Sequence, residues 1–311
     1  MKDRRGGGVL AVGPVARDIT VLIDALPGRG DAARVREFCI EAGGKGANPA
    51  VAVAALGTRV ALLGQIGADE AGAAARRELT ALGVDVSPVE VTPDRPTGHI
   101  VHLVEPGGRR RYVEAAGATE LLSPAADTIA ARCADHAYVL LSTAVREDTA
   151  TTVCRVAHEH GATVIVDGSG DPGTVAAVLE HTHVLRCDAT EAAALADRPV
   201  TDFGTGLTAA RHLRGRGPGT VIVGAGADGD VVVGDEGLEL RLPHLPVRSV
   251  NPTGGGDALI GALTALLAQG FAVADAAPLA SAAAADTVAR LGARPRFDRA
   301  TLEDLAVRPA S

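Results

Sequence analysis

Asn251-Pro252-Thr253-Gly254-Gly255-Gly256-Asp257 stands directly before an alanine- and leucine-rich run at 258–269. Three consecutive glycines let the backbone turn so that several N–H groups converge on one point, and the dipole of the following helix adds to the same field. Such a nest suits a phosphoryl group in transfer. Asp257 at its mouth makes a poor phosphate ligand, but a sound base for taking a proton from an attacking hydroxyl. The plainer alternative is that Thr253 or Asp257 only caps the helix.

Working outward, the last third from Gly255 to about Arg290 reads as two long alanine-rich helices broken near Gly270. Alanine there serves helix propensity and close helix packing. Upstream, strand candidates at 137–141, 162–166, 182–185 and 220–223 are each separated by a helical pattern. That alternation predicts βαβ units and a largely parallel sheet. Segments 230–233 and 238–240 read as an edge hairpin. Gly8 to Gly13 reads as a first buried strand, 59–63 as another, and 69–82 as a helix.

A second glycine loop, Gly43-Gly44-Lys45-Gly46-Ala47-Asn48, opens a buried helix over 47–56 that stops at Gly57, with Pro49 in its first turn. Neither loop has the Gly-Lys-Ser or Gly-Lys-Thr ending of a Walker loop. Between 84 and 114 the rhythm changes to short segments, 84–91, 97–104 and 110–114, parted by prolines and Gly107-Gly108. With part of 19–40 they are expected to form a small antiparallel sheet. One α/β domain over 1–311 with an inserted small sheet is the expected organisation.

Composition excludes other classes. Hydrophobic residues are 47% of the 311, and aromatic residues 2%, so the core is aliphatic. A net charge of -8 argues against a nucleic-acid binder, and Arg109-Arg110-Arg111 beside Tyr112 reads as a solvated hairpin tip. No apolar run is long enough to span a bilayer, and Met1 to Gly8 lacks a signal-peptide core. Cys39, Cys133, Cys154 and Cys187 show no CxxC spacing and read as reduced, mostly buried thiols, so a cytoplasmic protein is expected. His158 with His160, and His181 with His183, lack a third ligand at metal spacing and read as surface residues. No Gly-x-Ser-x-Gly is present. Gly224-Ala225-Gly226-Ala227-Asp228-Gly229 has dinucleotide spacing but is followed by Val231-Val232-Val233, a strand. It reads as a tight turn lining a ligand edge. Only Lys2 and Lys45 are lysines among 30 basic residues.

At its two glycine loops the sequence resembles the ribokinase-like, phosphofructokinase B-type carbohydrate kinases. Gly43 to Asn48 is close to that family's first signature and Thr253 to Asp257 to its second, with Gly255 where alanine is usual. Gly13 to Asp18 resembles the opening sugar-binding loop, Gly64 to Asp69 a glycine turn after the second sheet strand, and Asp188-Ala189-Thr190-Glu191 an Asn-x-x-Glu motif. The resemblance implies a three-layer sandwich with a mostly parallel central sheet and a small β lid. It further implies transfer of the γ-phosphoryl of ATP to a sugar-type hydroxyl, with Asp257 as base and the N–H groups of Gly254, Gly255 and Gly256 as anion hole. Asp18, Gly44 and Asn48 would contact the acceptor, with Lys45 shaping the loop or its electrostatics. Thr253, Asp188, Gly224, Gly226, Gly229 and the helix after Ala276 would border the nucleotide, and Glu191 would hold Mg²⁺ through water. The lid in relatives is often a dimer contact.

Departures accompany these matches. Ala16 stands where ribokinases carry an Asn, and the region Ser142 to Val145 lacks a sugar-contacting glutamate, so two acceptor contacts are lost. Asp188 replaces the metal-motif Asn and adds negative charge. Asn251 replaces an Asp that relatives use, with nearby carbonyls, for a monovalent cation, which implies weakened potassium activation. A nucleoside kinase of the same fold and a non-catalytic nucleotide or metabolite sensor remain the alternatives.

Overall fold

The computed structural model describes residues 7–307; Lys2 and the first part of the amino-terminal stretch lie outside them. In chain order the elements begin β1 (Gly8–Val12), β2 (Ala16–Ile23), β3 (Val35–Gly43), α1 (Ala47–Ala55), β4 (Val60–Gly67), α2 (Glu70–Ala81) and β5 (Val89–Thr92). There follow β6 (Gly98–Val104), β7 (Arg110–Ala115), α3 (Ala126–Cys133), β8 (His136–Ser142), α4 (Glu147–Glu159), β9 (Thr163–Asp167) and α5 (Pro172–Val178). The chain continues through β10 (Val184–Cys187), α6 (Ala189–Ala196), α7 (Phe203–Arg214), β11 (Thr220–Gly224), β12 (Gly229–Val233) and β13 (Glu239–Pro243). It closes with α8 (Gly255–Ala268), α9 (Val273–Val288) and α10 (Arg299–Ala306).

Consecutive side chains of the sheet strands enter two different cores. Val9 and Ala11 of β1 join Leu62, Leu140, Ile165 and Ile222 in one, against helices α1, α8, α9 and α10. Leu10 and Val12 join Leu63, Val139, Val164 and Val221 in the other, against α3 to α7. Burial on both faces explains why these strands read as continuous apolar runs. The result is a three-layer α/β sandwich around a nine-stranded sheet of order β13-β12-β11-β10-β9-β8-β1-β4-β5. Pairings from β5 across to β11 are parallel, and β12 and β13 close that edge antiparallel. Cys133, Cys154 and Cys187 are buried, and Cys39 is half-buried.

The small sheet has the order β3-β2-β6-β7. Its membership and pairing correct the sequence reading: Val89–Thr92 pairs with β4 in the large sheet, with Gly64 opposite Val89, and β2 pairs with β6 in parallel where antiparallel strands were expected. The prolines after 92 suggested a hairpin, but α2 already supplies the crossover from β4, so the segment returns as a parallel neighbour. The lid also begins earlier than expected, at Ala16, and runs to Gly43. Register gives it two faces. Asp18 lies beside Ile100, Ile100 beside Glu114, and His102 beside Tyr112 on the inner one. Ile19 and Val21 lie beside Ile40 and Phe38, and Val101 beside Val113, on the outer one. Among the described residues no helix is long and apolar enough to cross a membrane.

Candidate active site

The loops after β1 and β3, the start of α8 and the inner lid face enclose a cavity of about 310 Å³. Gly254 enters α8 at φ +83°, a left-handed conformation that disfavours side chains, and a Cβ there would meet the Ala293 carbonyl at 2.0 Å. The first turn of α8 therefore points its N–H groups, which have no intrahelical acceptor, into the cavity mouth. Asp257, in that turn, has a hydrogen-bond donor on one carboxylate oxygen and an ion-pair partner near the other. Asn48 Nδ2 on α1 donates to Oδ2 at 2.9 Å, and Lys45 Nζ lies 3.8 Å from Oδ1.

Lys45 also donates to Asp167 Oδ2 at 3.3 Å, at the end of β9. On the far side of Asp167, Arg186 Nη1 donates to Oδ1 at 3.1 Å and sits 4.0 Å from Glu191. Burial alone would raise the Asp167 carboxyl, but Lys45 and then Arg186 outweigh it and hold it low. Burial likewise opposes the Lys45 charge, and Asp167 and Asp257 overcome it. The Arg186 guanidinium lies flat against Gly256, where a Cβ would come within 2.5 Å of Nη2. Only a residue without a side chain lets that cation reach the helix mouth.

Opposite these charges, several polar atoms are buried without a partner: Asp18 Oδ1, Asn48 Oδ1 and both ring nitrogens of His102. Burial, followed by the charges of Asp257, Glu41 and Glu114, raises Asp18 to about 7. Burial, reinforced by Arg110, lowers His102 to about 4, so its ring is neutral. Unpaired acceptors and a neutral ring at one spot leave hydrogen-bonding capacity open to a ligand.

Asp188 caps α6 in a reciprocal capping box: its side chain accepts from Glu191 N–H at 2.8 Å, and Glu191 accepts from Asp188 N–H at 2.7 Å. Burial, then the Asp167 charge, raises Glu191 to about 7. These two carboxylates make an open site, fit for a Mg²⁺ that also takes water and nucleotide phosphates. Among the described residues no group of three or more His, Cys, Asp or Glu forms a closed metal cage.

The cavity wall thus brings together Asp18, Gly44, Lys45, Asn48, Asp188, Thr253, Gly254, Gly256 and Asp257. Gly255 instead faces Val288 of α9, and Gly224 abuts Asp188. Gly226 and Gly229 flank the β11–β12 turn, against the carbonyls of Thr201 and Leu242, and do not line the cavity. Sequence reasoning missed His102, Arg186 and Glu114, which also line it. Arg110 and Tyr112 are exposed on the β6–β7 hairpin, as expected, and both also line the cavity, with the guanidinium over the ring at 5.3 Å. Period-two alternation of 110, 112 and 114 was the available signal, once Asp18 is known to share their face.

A sequence model of the pfkB family carbohydrate kinases matches residues 8–299. An ATP-dependent ribose-1-phosphate kinase of Halopiger xanaduensis is 31% identical over 296 residues, covering 92% of this chain and 93% of that protein. The ribokinase of Bacillus subtilis is 28% identical, covering 92% and 94%. Among solved structures, Arabidopsis thaliana ribokinase complexed with ribose and ATP superposes with a TM-score of 0.83 at 25% identity, over 98% of this chain and all of that one.

Asp18 supplies a test of the site's electrostatics. Between pH 3.8, its ordinary value, and about 7, the folded chain keeps a proton that the unfolded chain loses, so this group's contribution to stability falls as pH rises through that window. Asp18→Asn removes the titration. Its stability in urea relative to the parent should therefore increase steadily from acid to above neutral pH, whereas a constant difference would contradict a buried, proton-holding Asp18.

Proposed function

The chain belongs to the pfkB family of carbohydrate kinases, and on that footing we propose that it transfers the γ-phosphoryl of ATP to a hydroxyl of a small sugar or sugar-like acceptor, with Asp257 as the base. The observation that carries this reading is the placement of Asp257 at the mouth of the α8 N–H nest, held by Asn48 and Lys45, in one cavity with the unpaired atoms Asp18 Oδ1 and Asn48 Oδ1. An acceptor hydroxyl hydrogen-bonded to Asp257 would lose its proton to that carboxylate as it attacks. The N–H groups of Gly254, Gly255 and Gly256 would stabilise charge developing on the transferred group, and the Arg186 guanidinium beside Gly256 adds to their field. Thr253 and Asp188 would border the nucleotide, with Gly224 behind Asp188. Asp188 and, through water, Glu191 would hold the Mg²⁺ that accompanies ATP, whose part is to neutralise phosphate charge. The lid over the acceptor would exclude water and so limit hydrolysis. Asp257→Asn should lower turnover by roughly 10² to 10⁴ while ATP affinity, read by calorimetry, stays near the parent's. Turnover at the parent rate would remove Asp257 from the base role.

A narrower reading of the acceptor rests on Arg110. It lines the cavity from the lid, and among the described residues it forms no ion pair with a carboxylate. An unpaired guanidinium facing an acceptor favours one that already carries a phosphate, as in the name of the Halopiger relative. We expect kcat/KM to be higher for a pentose phosphate than for ribose or a nucleoside, and Arg110→Ala to lose about 10-fold or more on the phosphate alone. A nucleoside preference would instead point to stacking on Tyr112, and ATP binding without any turnover to a sensor.

The outer lid face suggests a partner. Phe38 is 64% exposed, and with Ile40 and Val113 it borders half-buried Ile19, Val21, Val101 and Leu103 on one continuous apolar surface. We place a contact between two copies of the chain there. Sedimentation should give a dimer that Phe38→Asp converts to monomer; a monomeric parent at micromolar concentration would exclude it.

A further inference from the structure

We infer that the side-chain amide of Asn251 takes the place of a bound monovalent cation, so that phosphotransfer by this chain is independent of potassium. Asn251 is 0% exposed at the entry to the anion-hole loop. Its Nδ2 donates to the Leu291 carbonyl at 2.7 Å, and its Oδ1 accepts from the Thr253 N–H at 3.0 Å and the Thr253 hydroxyl at 2.7 Å. The backbone N–H groups of Val250 and Asn251 both reach the Val288 carbonyl, at 2.8 and 3.1 Å. The loop entering α8 is thereby stitched to the turn leaving α9 through hydrogen bonds alone.

The chemistry of that stitch decides whether a cation is needed. An aspartate at 251 would set an unprotonated oxygen against the Leu291 carbonyl oxygen at the distance now spanned by an N–H···O bond. Two acceptors that close repel one another unless a positive charge or a proton lies between them. The amide brings its own hydrogen, so the electron-rich gap is closed without an ion. Val288 O already takes two N–H groups, leaving little lone-pair capacity for a metal. The residues present therefore do not fit a monovalent cation between these two loops. Thr253 and Gly254 follow directly in the chain, and Gly254 stands against the Ala293 carbonyl. Asn251 is thus a positioning residue: it acts on the N–H nest through the loop and touches no reacting atom.

This inference rests on the phosphotransfer reading, but its melting measurements need no activity, so the two can fail separately. In potassium, sodium or tetramethylammonium chloride at equal ionic strength, the parent should show the same melting temperature and turnover within about twofold, because hydrogen bonds that are already made gain nothing from an ion. Potassium that raises the melting temperature, or raises turnover about tenfold, would overturn the inference. Asn251→Asp should melt lower than the parent in tetramethylammonium and regain stability and kcat in potassium, with ATP affinity little changed. Indifference of the folded Asn251→Asp protein to potassium in the melting assay would also overturn it. Asn251→Ala, which removes the stitch without adding a carboxylate, should lose kcat and show no potassium rescue; rescue there would assign the cation to the carbonyls alone. Should Asn251→Asp not fold, the ion series on the parent and on Asn251→Ala still decides.

Discussion

Asp167 is a carboxylate with almost no access to water, at the end of a central strand, and the site is arranged around keeping it charged. A buried charge without a partner is strongly destabilising. Lys45 approaches from the first glycine loop and Arg186 from β10, and each cation is then shared, Lys45 with Asp257 and Arg186 with Glu191. One loop, two strand ends and two helix starts are fixed relative to one another by this chain of charges. A compact ammonium can stand between two carboxylates within a glycine loop, where the planar, wider guanidinium would demand a fork-shaped partner. That accounts physically for a lysine at 45 in a chain otherwise rich in arginine.

The same economy governs the lid. One four-stranded sheet turns Asp18, His102, Arg110, Tyr112 and Glu114 to the cavity, and Ile19, Val21, Phe38, Ile40 and Val113 away from it. Alternation of side chains along each strand lets a single thin layer present both a polar cavity wall and an apolar surface. The cavity leaves acceptor and ring atoms unpaired, and a ligand that failed to satisfy them would incur the full cost of their burial.

Helix ends do comparable work on the opposite wall. Asp188 and Glu191 satisfy each other's N–H groups in a capping box at the start of α6. Gly254 and Asn251 shape the nest from below, the first by its left-handed backbone and the second by its amide. Charge at this edge comes from backbone dipoles and a few enclosed side chains, consistent with a chain whose net charge is -8.

Much of this architecture was legible in the sequence, because local features carry it. Apolar runs separated by helical patterns specify a sheet covered on both faces, and the glycine runs at 43–46 and 254–256 mark sharp turns at helix starts whatever surrounds them. The match of Asp257 with a glycine nest is likewise local, since all the atoms lie within one turn. What the sequence could not show is which distant residues meet. The segment 84–91 looked like a hairpin because its partner, β4, lies across the intervening helix α2. Arg110 and Tyr112 read as solvated and are exposed, but that they also border the cavity is set by register against Asp18, more than 90 residues away in the chain. Arg186 was one arginine among many until the parallel order β9-β10 set it beside Asp167 and the start of α8. The sequence by itself determined the elements and the chemistry of each helix mouth, for these depend on neighbours in the chain. Tertiary structure alone decided which charges pair and which polar atoms stay unpaired, for electrostatics and desolvation act through space.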